Sequence, residues 1–169
     1  MPILQPRRPA RASRRLIHPA FLYFITHVTS LVLFVCTGNY YRSRFAEAVF
    51  NHYAELKRLN WKAVSRGLAI HWVEGYLSPF TIDALAVRKI ELRHTGPARV
   101  QLTEHDLETA QRRIALDRDE HHSMMQIQFP QWADRIEYWS VADLGFQAVE
   151  LALPEIESKV LSLIEELGA

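Results

Sequence analysis

The chain has 169 residues, 49% of them apolar and 23% charged, which suits one globular domain with a core of its own. Its formal net charge of +1 argues against a general affinity for polyanions, so we expect no nucleic-acid partner. The single cysteine, Cys36, excludes an intrachain disulfide and a cysteine-rich metal site. That cysteine usage is typical of the reducing cytoplasm, where we place the protein.

Residues 1–28 are predicted to form a basic, disordered arm, because they are rich in arginine and proline and show no apolar periodicity. The apolar stretch 21–36 that follows the arginines superficially suggests a signal peptide or a membrane anchor. Polar residues at 26, 27, 29 and 30 interrupt it, and it is shorter than the roughly 20 residues that a spanning helix needs. We therefore expect no membrane segment, and we assign residues 29–169 to the folded domain.

Hydrophobic patterning along this domain predicts strands that alternate with helices. Residues 31–35 are β-branched and aromatic and predict a buried strand, and a helix begins near Arg42 or Ser43. Further strands are predicted at 62–65, 113–116 and 136–139. Helices are predicted from Pro79 to about Ile90, after a Thr103–Asp106 cap, and over 147–167 with an interruption near Pro154. Such alternation favours a parallel α/β sheet with the functional loop at the carboxyl end of a strand.

The segment after the first predicted strand has the clearest chemical pattern. Its cysteine and arginine are separated by five residues, and the loop leads into a helix N-terminus, where backbone N–H groups bind anions such as phosphate. Arg42 suits bidentate binding of phosphate oxygens, and these donors together with the Ser43 hydroxyl favour a thiolate at Cys36. Gly38 permits a positive φ or a close backbone approach, and Asn39 tolerates a left-handed conformation. The predicted phosphate-binding loop is Cys36-Thr37-Gly38-Asn39-Tyr40-Tyr41-Arg42-Ser43.

This loop resembles the signature of the low-molecular-weight protein tyrosine phosphatases, Cys-x-Gly-Asn-x-Cys-Arg-Ser-Pro. The resemblance implies a phosphocysteine mechanism in which Cys36 is the nucleophile, Arg42 binds phosphate, Ser43 assists thiolate formation and Asn39 shapes the loop. It also implies a three-layer α/β sandwich of the phosphatase I-like type, with helices flanking a central four-stranded parallel sheet. Two residues depart from the signature. Tyr41 replaces the second cysteine, so the family's protective disulfide cannot form, and Arg44 replaces proline and is expected to add charge beside the site.

The general acid is predicted to be Asp143, which follows the last predicted strand and precedes the final helix. The family resemblance implies an aspartate at this place, followed by a proline, where this chain has Leu144. A helix-capping or turn role is the alternative for Asp143, and Asp134 is the fallback acid. Aromatic walls for a phosphoester are predicted from Tyr40, Tyr41, Trp72 and Phe146.

The acidic and histidine-rich segment 117–122 superficially suggests a metal site. It contains Asp117, Asp119, Glu120, His121 and His122 but lacks a recognisable ligand spacing, so we interpret it as a solvated helix start and expect no metal.

The predicted function is hydrolysis of a phosphomonoester, with protein phosphotyrosine as the expected substrate class. The partners are then a phosphorylated protein or small phosphoester and the product, inorganic phosphate, with no cofactor. Two alternatives remain open: a non-catalytic phosphate- or phosphoprotein-binding module, and an arsenate reductase. The lone cysteine restricts a reductase to an external thiol.

Overall fold

The computed structural model describes residues 28–169, and over these residues the chain forms four strands and five helices. The strands are β1 (Ser30–Cys36), β2 (Trp61–Gly67), β3 (Arg112–Ala115) and β4 (Glu137–Tyr138). The helices are α1 (Arg42–Leu56), α2 (Pro79–Val87), α3 (Glu104–Thr109), α4 (Arg118–Gln128) and α5 (Val149–Leu167).

The strands pair in parallel in the order β2-β1-β3-β4, so β1 lies inside the sheet. Side chains of β1 alternate between the two faces, as the period of two requires. Val32 and Phe34 belong to the core beneath α1 and α5, whereas Leu33 and Val35 pack with residues of α3 and α4. All four are fully buried, which explains why β1 reads as a continuous apolar run. The predicted α/β sandwich with a parallel sheet is confirmed.

Two details of the helices bear on the predictions. The short helix α3 begins with the predicted capping box, in which the Thr103 side chain accepts from the Asp106 N–H and the Asp106 carboxylate accepts from Thr103. The expected interruption of the last helix is wrong. Helix α5 continues through Pro154, because apolar residues on both sides of the proline, such as Leu153 and Ile156, stay buried in the core, where α5 packs mainly against α1.

The predicted arm, residues 1–28, lies outside the described residues except for Val28. None of the helices found between residues 28 and 169 is long and apolar enough to cross a membrane.

Candidate active site

The predicted phosphate-binding loop joins the carboxyl end of β1 to the first turn of α1. Cys36 is the last residue of β1, and its side chain is only 3% exposed. The Cys36 Sγ lies 2.9 Å from the Oγ of Ser43, which is held in the first turn of α1. Either atom can be the donor, so this contact places a hydroxyl that is able to donate beside the sulfur.

The loop that follows Cys36 has backbone N–H groups that can bind an anion. Within residues 28–169, no backbone N–H from Gly38 to Arg44 donates a hydrogen bond to another part of the chain. They include the first N–H groups of α1, where the helix dipole adds partial positive charge. The loop therefore has the donors that an oxyanion needs.

The side chain of Asn39 holds this loop in shape. Asn39 has a left-handed backbone with φ of 49°, and its amide donates to Ser43 Oγ at 3.2 Å and to Ser65 Oγ at 2.9 Å. Its carbonyl oxygen accepts from the Val100 N–H at 2.8 Å. Gly38 has an ordinary φ and is required for space instead, since a Cβ there would lie 2.5 Å from a methyl group of Val73.

Arg42 is the first residue of α1 and its guanidinium is buried among acceptors. Nη1 donates to the Val141 carbonyl at 3.0 Å, and Nη2 donates to Glu120 Oε2 at 2.7 Å. The Asp143 Oδ2 lies 3.0 Å from the same Nη2. Burial alone would lower the pKa of Arg42, but the Cys36 sulfur and the two carboxylates outweigh it and raise that pKa above its ordinary value. Arg42 is therefore a fixed cation beside the sulfur.

Asp143 begins a tight turn that leads towards α5. The Phe146 N–H donates to the Asp143 carbonyl at 3.0 Å, and Gly145 has φ of 93°, which is the pattern of a type II turn. The Asp143 Oδ1 accepts from the N–H of Leu144 at 2.8 Å. The carboxylate thus faces Arg42 and is oriented by its own turn.

A cavity of about 220 Å³ connects these groups. Its lining combines the sulfur and the charged groups with apolar side chains. The lining residues are Cys36, Gly38, Tyr40, Tyr41, Arg42, Val73, Asp143 and Leu144. The pKa of Tyr41 rises to about 12, mainly because the ring is buried and secondly because Asp143 is near.

The two outer aromatics predicted for the pocket and the fallback acid do not line this cavity. Trp72 is 67% exposed and lines a separate surface depression, because the turn that carries it directs Val73 towards the loop instead. Phe146 follows the Asp143 turn and is 90% exposed, so neither aromatic forms a wall of the cavity. The fallback acid Asp134 contacts His122 at 2.9 Å and is absent from the cavity lining.

Arg44 also departs from the expectation that it adds charge beside the site. It follows Arg42 by two residues, about 200° around the helix, so it points away from the cavity. Its buried guanidinium donates to Thr95 Oγ1 at 2.6 Å and to the carbonyls of Gly96 and Ala98. Glu47 accepts from the same Thr95 hydroxyl at 2.7 Å, so this charge supports a neighbouring loop.

Sequence reasoning missed Glu120 and His121, which were assigned to a solvated helix start. Asp119 is exposed as expected, but Glu120 contacts Arg42 and His121 is fully buried. The useful signal was spacing. Glu120 and His121 lie in the first turn of α4, which follows the inner strand β3 closely. Side chains in this turn can reach the edge of the sheet where the loop lies. Among the described residues no three His, Cys, Asp or Glu side chains converge in the way that a metal ion would require.

Comparison with known proteins places this geometry in a family. The family model described as low molecular weight phosphotyrosine protein phosphatase matches residues 31–165. The chain belongs to this family. Low molecular weight phosphatases use a cysteine to remove phosphate from a phosphorylated substrate, so the chain is a cysteine-dependent phosphatase of this fold.

Individual relatives differ in the substrate that their names state. A protein-arginine-phosphatase of Bacillus subtilis (strain 168) is 33% identical over 105 residues, which are 62% of this chain and 67% of the relative. The crystal structure of a low molecular weight protein tyrosine phosphatase from T. tengcongensis is 27% identical, with a TM-score of 0.69 over 81% of this chain and 99% of that one. A YwlE mutant from Bacillus subtilis is 25% identical, with a TM-score of 0.63 over 82% and 96% of the two chains.

Proposed function

We propose that Cys36, Arg42 and Asp143 hydrolyse phosphate monoesters and that protein phosphotyrosine is the substrate class. The observation that carries this proposal is the shared cavity: the Cys36 sulfur, the Arg42 guanidinium and the Asp143 carboxylate all line it. Free N–H groups from the loop and from the start of α1 add donors for the phosphate oxygens.

The two chemical steps follow from these positions. In the first, the Cys36 thiolate attacks phosphorus, an S–P bond forms, the ester P–O bond breaks, and the leaving oxygen takes a proton from Asp143. In the second, Asp143 accepts a proton from a water whose oxygen attacks phosphorus, the S–P bond breaks, and inorganic phosphate leaves. Arg42 and the loop N–H groups hold the equatorial oxygens in both steps. Ser43 stabilises the sulfur while it is the leaving group.

The walls of the cavity favour an aromatic ester. Tyr40, Tyr41, Val73 and Leu144 present ring and methyl surface around the path to the sulfur, and a phenyl ring bound there would bury apolar area. The Bacillus subtilis relative supports a second candidate, phosphoarginine in proteins, because its name states that substrate.

One experiment separates these candidates. The purified chain is assayed with p-nitrophenyl phosphate and with two peptides of one sequence that carry phosphotyrosine or phosphoarginine. We expect turnover of the first two substrates and a kcat/KM for the phosphotyrosine peptide at least tenfold above that for the phosphoarginine peptide. The reverse order would assign the arginine substrate.

Cys36→Ser is the matched control, because it keeps the size of the side chain and removes the thiolate. We expect it to abolish turnover but retain binding of tungstate. Equal activity of Cys36→Ser would disprove the mechanism. Tight phosphate binding without phosphocysteine formation by the unaltered chain would support a binding module, and arsenate turnover that depends on added small thiol would support a reductase.

A further inference from the structure

Glu120 connects the two ends of the phosphate-binding loop. It lies in the first turn of α4, and its two carboxylate oxygens contact different residues. Oε1 accepts from the hydroxyl of Thr37, the residue after the cysteine, and Oε2 accepts from Arg42 Nη2 at 2.7 Å. Glu120 is absent from the residues that line the cavity, so it contacts the loop without forming a wall of that cavity.

His121 supports this carboxylate from the protein interior. Its ring is fully buried, and Nδ1 accepts from the Asp117 N–H at 3.0 Å. A neutral ring that accepts at Nδ1 carries its hydrogen on Nε2. Nε2 lies 3.5 Å from Glu120 Oε2 and has no hydrogen-bond partner among the described residues. The carboxylate is thus the polar group that this buried N–H faces.

We propose that Glu120 is a positioning residue of the phosphatase reaction, which orients the Arg42 guanidinium and the start of the loop, and that His121 orients Glu120. This inference rests on the proposed function. Glu120 takes one hydrogen of Nη2 and the Val141 carbonyl takes one of Nη1, while Asp143 Oδ2 lies 3.0 Å from the same Nη2. A bound phosphate would accept from Nε and replace Asp143 at Nη2, and these two donors would form the fork that binds two oxygens together.

Charge alone does not explain a carboxylate at this place. A negative group within reach of Arg42 opposes the binding of a phosphate anion, so any benefit must come from orientation. An arginine side chain has several rotatable bonds, and a displacement of about 1 Å in a catalytic group can reduce the rate about 100-fold. Anchoring both Nη atoms removes that freedom.

The test compares Glu120→Ala with Glu120→Gln. The amide oxygen of Gln accepts from Arg42, and its NH₂ donates to the Thr37 hydroxyl, so the anchoring is kept without the charge. We expect Glu120→Ala to lower kcat for p-nitrophenyl phosphate about 10- to 100-fold with a smaller change in KM. We expect Glu120→Gln to remain within about threefold of the unaltered enzyme. Asp119→Asn, an exposed carboxylate in the same turn, controls for loss of helix-start charge and is expected to change nothing.

Tungstate binding measured by calorimetry gives a readout that does not need turnover. We expect Glu120→Ala to weaken tungstate at least tenfold and Glu120→Gln to restore it. If Glu120→Gln is as impaired as Glu120→Ala, charge rather than orientation matters and the proposal is wrong. If Glu120→Ala keeps both kcat and tungstate affinity, it is wrong as well. Failure of the proposed function would instead leave the unaltered chain without turnover while tungstate binding still distinguished the variants.

His121→Asn tests the second half of the inference. The Oδ1 of the asparagine replaces Nδ1 as the acceptor for the Asp117 N–H. The substitution also removes the Nε2–H that faces Glu120. We expect a loss of kcat that is smaller than that of Glu120→Ala and absent in the Glu120→Ala background. An equal loss in both backgrounds would show that His121 does not act through Glu120.

Discussion

Leu144 changes the surroundings of the proposed general acid in a way that proline would not. Its backbone N–H donates to Asp143 Oδ1, and Arg42 lies beside Oδ2, so the carboxylate is held between two donors. Leucine leaves φ of the turn free, whereas proline would fix it near −65°. The position of the carboxylate is therefore set less rigidly than it would be with proline.

Leu144→Pro tests this effect. Leu144 is the second residue of a type II turn, where proline is favoured, so the fold should tolerate the change. Proline fixes φ at the value that this turn position takes and so holds Asp143 more rigidly, and we expect kcat for phenyl phosphate, whose leaving group is poor, to rise a few-fold. Leu144→Ala, which leaves φ free, is the control and should not raise it. A fall in kcat with an unchanged thermal midpoint would contradict the argument.

At the scale of single residues, sequence reasoning succeeded where spacing along the chain determines position. The residues from Cys36 to Ser43 form one local loop, and Asp143 follows a strand of the same sheet, so all come to one edge. The spacing of Glu120 after β3 places it near the same edge, but spacing alone does not identify its role. Its role depends on which side of α4 faces the loop, and an acidic first turn has the same sequence whether it is solvated or buried.

The charged side chains near the start of α1 lie on opposite sides of the helix. Arg42 serves the cavity, whereas Arg44 and Glu47 lie on the far side, bridged by the hydroxyl of Thr95. The Arg44 Nε and Glu47 Oε2 are 3.8 Å apart, and both side chains are less than a tenth exposed. Glu47 also accepts from Ser65, which contacts Asn39, so this buried pair supports the phosphate-binding loop.

We predict that Arg44→Met or Glu47→Gln alone lowers the free energy of unfolding by about 3 kcal/mol, because each leaves its partner charged and buried. The double variant should lose at least about 1 kcal/mol less than the sum. The exposed Arg93–Glu55 pair, 2.9 Å apart, is the control and should couple much more weakly, because solvent screens both charges. Urea titration measures all of these values. Strict additivity at Arg44 and Glu47 would show that the two charges do not interact.

Pro154 tests how tertiary packing overrides local propensity in α5. Proline within a helix removes one hydrogen bond and crowds the carbonyl four residues earlier, which costs about 3 kcal/mol. The helix nevertheless continues, and Pro154 itself is exposed. We expect Pro154→Ala to raise the free energy of unfolding by about 1 to 3 kcal/mol in a urea titration, with Ser158→Ala as an exposed control in the same helix. No gain would mean that the helix is already bent to suit proline.

At the scale of elements, the sequence predicted the helices and strands whose apolar residues repeat with a clear period. It failed where packing decides the length or the continuity of an element. The strand β1 and the start of α1 were found because burial on both faces and helical spacing are visible in the sequence. The last strand was predicted as 136–139 but is only Glu137–Tyr138, since its length depends on the partner residues that β3 offers. The continuity of α5 depends in the same way on its contacts with α1 and the core.

Acid stability of the whole molecule depends on His121. Burial, followed by the nearby Arg42 charge, lowers the pKa of His121 from 6.5 to about 3. Between these values the unfolded chain binds a proton that the folded chain does not. The folded state therefore loses stability as the pH falls from about 6.5 towards 3, by about 1.4 kcal/mol per pH unit.

Comparison with His121→Asn isolates this contribution. Between pH 8 and pH 5.5, we expect the unaltered chain to lose about 1.4 kcal/mol more unfolding free energy than the variant, measured by urea titration at each pH. Other titrating groups are common to both proteins and cancel in the difference. Parallel pH curves for the two proteins would contradict the assignment of a buried neutral histidine.

The depth of Cys36 has a consequence for side-chain length. The sulfur is almost covered, and the rings of Tyr40 and Tyr41 line the way in, so the peptide backbone of a substrate has to remain outside. Only a residue whose phosphorus is separated from its Cα by many bonds can bridge that gap. If phosphotyrosine is the substrate, as proposed, we expect peptides that carry the shorter phosphoserine or phosphothreonine to be hydrolysed at least 100-fold more slowly than the phosphotyrosine peptide of the same sequence. Under that proposal, substrate selection begins with the length of the phosphorylated side chain, before any contact with the neighbouring sequence.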